Sequence, residues 1–459
     1  MPVQAKLTQG STFKHVVTMS VTGALGLMCM FLVDLVDMLF LSMLDEKEAV
    51  AAVGFASTLV FFTVSISIAV SISATALVSK AIGEGDLALA KRRAVNVLAF
   101  GIVFSSFVVW LLWPKIPHLL FYIGATGRTL DLSTEYLQIL VPAMPAVMIG
   151  MICSGIMRAL GDARRAMYAT LFGGLVNAIL DPILIFGFGL GVQGAAIASL
   201  IARLSMVAVS YYCVVHVHKI LGEFDLMDLL KDSRAICKIA IPAMLTNMSS
   251  PLANAIVMAQ AADFGVDTVA AVAIIGRVIP VVFGGLFALS GAVGPILGQN
   301  YGAGRFDRMH STISSAVVYA FIYCLVLCLS LYQIQDWLVQ VFNATPETAK
   351  LIRFFATFAS FSFFFQSLLF IAIAVFNNLG RPFNSTMLNF GRATLGTWPL
   401  IAFFAFFMDA EAVFFGQAVG SIIFGCLGFV MARNYISELE EKDAESIVVT
   451  NSSQYEEVI

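Results

Sequence analysis

The chain has 459 residues, of which 59 % are hydrophobic and 12 % charged, with a formal net charge of −3 and a mean hydropathy of +0.91. Soluble domains carry about 25 % charged residues, so this composition excludes a soluble enzyme and points to an integral membrane protein. A near-neutral charge leaves no basic footprint for nucleic acid.

Stretches of about 20 apolar residues, enough to cross a bilayer, recur along the chain. They fall near 14–42, 51–80, 92–113, 131–156, 163–189, 191–217, 235–262, 268–299, 312–336, 350–376, 382–408 and 411–436. These twelve segments predict an all-α integral membrane protein. No intervening loop is long enough to form a separate domain. Residues 221–234, with Phe224, Leu226, Leu229 and Leu230, read as a linker forming a short interfacial helix. The acidic segment 437–459 is expected to be disordered.

Most of the 26 Lys and Arg residues flank the face that carries both termini, which makes that face cytoplasmic by the positive-inside rule. The start has no small-residue cleavage site, so the first span reads as a permanent helix. The seven cysteines fit core packing and show no disulfide framework or metal-ligand spacing.

The sequence repeats at an offset of 219 residues. Ala51, Ala52 and Val53 fall on Ala270, Ala271 and Val272, and Ala69 and Ser71 fall on Ala288 and Ser290. Gly83 and Gly85 fall on Gly302 and Gly304, and Leu160-Gly161 falls on Leu379-Gly380. This predicts two six-helix halves, 1–220 and 235–436, with a pseudo-twofold axis along the membrane normal. Such halves enclose a central cavity that opens alternately to either side.

Ionisable residues inside the spans are few and costly. Asp34 and Asp37 lie three apart on the first span, and Asn177 and Asp181 four apart on the fifth, so each pair shares a helix face. Pro182 removes an N–H directly after Asp181 and frees the carbonyl of Ala178, which predicts a distorted helix beside a carboxylate. Oxygens so arranged suit a proton or Na⁺, and two acids in a low dielectric resist double ionisation. Retention for packing, or for an ion pair with Arg203, is the competing reading. In the second half the matching positions are Ala253, Asn254, Ile256 and Leu400, so the acids belong to one half. Gly23 and Gly26 could permit bending or close helix contact. Arg277 and Arg392 read as residues that snorkel or pair rather than contact anionic substrate groups. His216 and His218 read as interface residues. No phosphate-binding loop is present, which leaves a secondary transporter, not an enzyme.

The chain resembles the multidrug and toxic compound extrusion (MATE) family, in particular its DinF-like prokaryotic branch. The resemblance rests on Leu35-Val36-Asp37, Ala51-Ala52-Val53-Gly54, Met157-Arg158-Ala159-Leu160-Gly161-Asp162, Gly194-Ala195-Ala196 and above all Leu175-Val176-Asn177-Ala178-Ile179-Leu180-Asp181-Pro182. It implies a monomer without cofactors, spanning the bacterial plasma membrane many times and exporting cationic or amphipathic small-molecule drugs against inward H⁺, with Na⁺ as the alternative ion. The implied cation site is Asp37, Asn177, Asp181 and Ser199 with Tyr136 nearby and Asp34 as a helper; Ser154, where the family has an asparagine, and Arg203 would face substrate. Two departures stand out. Ser20-Val21-Thr22 replaces the branch's early proline context, and the second-half acids of the Na⁺-driven branch are missing, with Asn247, Asn254 and Gln366 nearest. A lipid-linked oligosaccharide flippase of the same superfamily and a receptor without turnover are the rival readings.

Overall fold

The computed structural model describes residues 5–44 and 48–456. Among them the chain is helical throughout, with ten helices long and apolar enough to cross a membrane. The first six spans are Thr12–Ser42, Glu48–Gly83, Leu87–Tyr122, Gly127–Ala159, Ala163–Gly187 and Gly191–Val217. The eighth, ninth, tenth and twelfth centre on Val266–Gly302, Phe306–Val341, Ala359–Leu379 and Ala412–Glu445. The remaining two fall short for identifiable reasons. Leu226–Asp263, the seventh, begins with two charged turns. The eleventh is broken into Pro382–Ala393 and Trp398–Phe404. Twelve crossings in two halves result.

The structure corrects two boundaries. The linker helix expected over 221–234 does not stand apart, because Leu226 already belongs to the seventh span. The Asp225 side chain accepts from the amides of Met227 and Asp228 at 2.7 and 3.0 Å, capping the helix at that point. Buried Asp232 is then held by Arg92 (3.2 and 3.3 Å) and Asn96 (2.7 Å) of the third span. The segment from 437, expected to be disordered, continues the twelfth helix to Glu456; residues 457–459 lie outside the described ones. Good helix formers and the Glu438–Lys442 pair at 2.6 Å favour that continuation, and Arg381 reaches Glu438 at 2.8 Å.

The first span bridges the halves. Val16 and Met19, together with Leu7 before it, pack into the second half's core with Phe283, Leu286 and Leu289. Its far end runs along the fifth span. On the face that carries the termini, the ends of the second and eighth spans cross backbone to backbone. A Cβ on Gly83 would overlap the Gln299 carbonyl, one on Gly302 the Lys80 carbonyl, and one on Gly298 the Ser79 hydroxyl. Only glycine permits that approach.

A polar buckle lies on the same face. The amide of Leu7 donates to Gln299 Oε1 at 2.9 Å, and Gln299 Nε2 donates to the Ala159 carbonyl at 2.6 Å. Asn300 and Arg308 each donate to the Leu7 carbonyl at 3.2 Å. Gln299 and Asn300 are fully buried, so these bonds satisfy groups that would otherwise be stranded.

Candidate functional site

Two sites emerge, one inside the first half and one between the halves. The first is built where the first and fifth spans meet. Asn177 Nδ2 donates to Asp37 Oδ1 and to Asp181 Oδ2, both at 2.8 Å. One amide therefore joins carboxylates that are 144 residues apart in sequence. Asp181 is 0 % exposed and its Oδ1 has no hydrogen-bond partner. Asn177, Ser199 and Tyr136 are also buried.

The helix break after Asp181 takes a definite form. Ile183–Gly187 is a single π turn, closed by the Phe188 amide on the Ile183 carbonyl at 2.9 Å. Pro182 supplies the cause, since its ring and missing N–H disrupt the regular ladder.

Tyr136 and Ser199 face one another, and Arg203 lies near enough to Asp34, Asp37 and Tyr136 to act on their charge. Arg203 therefore belongs with the carboxylate site and is absent from the lining of the cavity between the halves. Asp34 is exposed, a turn from the cluster, and no hydrogen bond ties it in. The first span is one unbroken helix. A Cβ on Gly23 would meet Ala288 at 3.1 Å, so Gly23 serves close contact with the eighth span.

The second site is a cavity of about 460 Å³ between the halves, within the range of small-molecule sites. It sits just inside the glycine crossing. Met19, Gly23, Gly26 and Met30 of the first span line it, and the same helix face continues through Asp34 to Asp37. Ser154 lines it as expected from its position, together with Asn247, Asn377 and Arg392.

Arg158 lines it too, although at the end of a span its sequence position suggests a membrane-flanking residue. The repeat contained the signal, because the offset of 219 places Arg158 on Asn377, another lining residue. Arg392 sits in the last turn before the break in the eleventh span, where the Thr397 hydroxyl donates to the Arg392 carbonyl at 2.9 Å. Arg277 is exposed and outside the cavity.

His218, read as an interface residue, hydrogen-bonds Asp162 at 3.0 Å, and Arg165 also pairs with that carboxylate. Burial pushes the Asp162 carboxyl up, but these two partners outweigh it and hold it at about 2.

The MatE family profile matches residues 24–183 and again 242–401, once in each half. The chain is 26 % identical to a FAD transporter from Shewanella oneidensis, over 94 % of this chain and 96 % of that protein. It is 23 % identical to the multidrug export protein MepA of Staphylococcus aureus, covering 74 % of this chain and 76 % of MepA. An outward-facing multidrug resistance MATE transporter superposes with a TM-score of 0.88 at 22 % identity, over 95 % of this chain and 98 % of that one. A transporter from Pyrococcus furiosus, described as having a binding pocket of reversed polarity, superposes equally well, with a TM-score of 0.88, 22 % identity and the same coverage.

Proposed function

The chain belongs to the MatE family, and on that premise we propose that this membrane exporter is driven by inward H⁺ through the carboxylates of its first half. The family assignment makes it a multi-pass efflux transporter rather than an enzyme. The coupling ion and its site are our reading. One observation carries it, namely the single Asn177 amide shared by Asp37 and Asp181.

Two carboxylates bound to one nitrogen lie close together. At a separation of about 5 Å and an effective dielectric of about 20, two negative charges repel by about 3 kcal/mol. Burial of Asp181 with an unpartnered oxygen adds desolvation to that cost. A shared proton removes both penalties. It also turns a hydrogen-bond acceptor into a donor and so changes how the first and fifth spans are held together. Asp37 is the principal protonation site, with Asp181 and Asn177 as partners, Ser199 and Tyr136 as neighbouring hydroxyls, and Arg203 as the local positive charge.

The first span transmits the change. Its one face carries Asp37 at one end and lines the cavity at the other, so a shift at the acid moves the cavity wall. A ligand shifts such an equilibrium only through different affinity for the two states, and neutralising a buried acid supplies that difference. With the termini in the cytoplasm, the glycine crossing closes the inner side and the conformation faces outward. Protons then arrive from outside a bacterial plasma membrane. The expectation of cationic drugs finds no carboxylate among the residues lining the cavity between the halves.

In proteoliposomes, a pH gradient without Na⁺ should drive movement of a fluorescent dye, tested with both carboxyfluorescein and rhodamine 6G. A Na⁺ gradient at clamped pH should not. Asp37→Asn should remove the pH-driven movement while dye binding persists. Movement driven by Na⁺ alone, or pH-driven movement in Asp37→Asn, would overturn the reading.

A further inference from the structure

We propose that the cavity between the halves binds an amphipathic organic anion, whose phosphate or carboxylate group is held by Arg158 and Arg392. The inference rests on the transporter reading above and adds the charge class of the substrate.

Both guanidinium groups line the cavity, and no Asp or Glu is among its lining residues. Arg392 is 6 % exposed. The Nε of Arg158 and that of Arg392 are each buried without a hydrogen-bond partner. Asn247 Nδ2, on the same wall, is a third buried donor left open. The one side-chain partner of Arg158 is the Ser71 hydroxyl at 3.4 Å, at the weak end of hydrogen-bond distances.

Unpaired buried charge is expensive, and even the more accessible arginines of this chain find partners. Arg92 is paired with Asp232, Arg381 with Glu438, and Arg308 is spread over Asn300 and three backbone carbonyls. The carboxylates of the first half do not neutralise the cavity pair, because they lie outside its lining, and Asp37 and Asp181 are bound to Asn177. A positive charge left without a counterion at a ligand-sized cavity is therefore balanced by what enters the cavity.

The donor chemistry selects the ligand. A guanidinium offers a planar fork of N–H donors that matches the oxygens of carboxylate or phosphate. The other walls are apolar, with Met30, Ile68, Phe287 and Phe370, and fit an aromatic or aliphatic body. Asn377 Oδ1 and Asn378 Oδ1 are buried acceptors without partners, suited to hydroxyl or ring N–H groups on that body. A simple inorganic anion would leave the apolar walls and these acceptors unused.

The test compares two xanthene dyes of similar size and opposite charge, carboxyfluorescein and rhodamine 6G. Binding to the full chain in phosphatidylcholine nanodiscs is read by fluorescence anisotropy with no ion gradient, so a failure of H⁺ coupling cannot affect the result. Carboxyfluorescein should bind about tenfold more tightly or better. Arg158→Gln and Arg392→Gln should each weaken it by about tenfold or more, the scale of a lost charge-assisted hydrogen bond, and Arg392→Lys should retain part of the affinity. Rhodamine 6G affinity should not fall in these variants. Equal affinities, preference for rhodamine 6G, or no binding of carboxyfluorescein to the unmodified chain would overturn the proposal without any variant. So would unchanged carboxyfluorescein affinity in both Gln variants, or a phosphatidylglycerol headgroup as the only species that shifts the melting temperature.

Discussion

The two halves share a fold, and both put an arginine at the cavity between them, but only the first buries a pair of acids. The first half places Asp37 and Asp181 on one asparagine. The second has asparagine and apolar residues at the matching places, and buries Arg392 beside a helix break. The sign of the charge does invert outside the membrane core, where Asp162 follows Leu160-Gly161 and Arg381 follows Leu379-Gly380. Duplication thus supplies two equivalent frames, and the proposed roles divide between them: ion loading in the first half, substrate charge across both.

The most direct way to break this comparison is to move the acid. Asp181→Asn should reduce pH-driven dye movement in proteoliposomes to the protein-free background. Adding Asn254→Asp to Asp37→Asn should not restore it. Rescue by the second-half acid would show that the halves are interchangeable.

A smaller effect is expected where the halves meet. Gly298→Val should oppose closure of the terminal face, at a cost typical of overpacking, about 1–3 kcal/mol, or a shift of about 5-fold to about 150-fold in population. Ser79→Cys, buried in the closed state, should then react with a membrane-impermeant maleimide in a background lacking the exposed Cys426. Equal labelling with and without Gly298→Val would show that the crossing is not the gate.

Next in size is the buckle. Gln299→Ala removes two hydrogen bonds that link the amide of Leu7 in one half to the Ala159 carbonyl through a second-half side chain. At about 1 kcal/mol for the bond that the Leu7 amide itself makes, amide exchange at Leu7 should accelerate by about 5-fold. An unchanged rate would mean that Asn300 and Arg308 hold the segment alone.

The smallest effect lies in the two loops of opposite charge. Asp162 is held at about 2 against an ordinary value of 3.8, so the folded state favours its ionised form. Its contribution is therefore complete above about pH 4 and is lost as pH falls towards 2. In detergent, Asp162→Asn should flatten the melting profile over that window. Glu438→Gln, which removes the exposed partner of Arg381, should change stability by less than about 1 kcal/mol. Acid sensitivity of similar size at both loops would remove the distinction between them.

Much of this plan can be read in the sequence because a bilayer makes errors costly. Long apolar runs announce the spans, and an acid within one is conspicuous, which is how Asp34, Asp37 and Asp181 stand out. Helical spacing puts Asn177 and Asp181 on one face, and Pro182 signals the break after them. What cannot be read locally is tertiary. Nothing near Asp37 shows that Asn177 will bind it as well as Asp181. Arg158 looks like a flanking residue because hydropathy registers depth only by position along a run, not by the cavity that opens beside it. The seventh helix begins early because Asp232 finds Arg92 and Asn96 on another span, and Leu7 joins the second half's core from the far side of a sequence boundary.

The glycine crossing has a consequence for how faithfully the two faces are kept apart. A gate made of side chains can adjust rotamer by rotamer and so admits partly open forms that leak water and ions. Where Gly83 and Gly302 bring main chain against main chain, no side chain is left to adjust. The contact is either made along its length or lost. Closure of this kind behaves as a digital element, with few intermediate openings through which water and ions could leak.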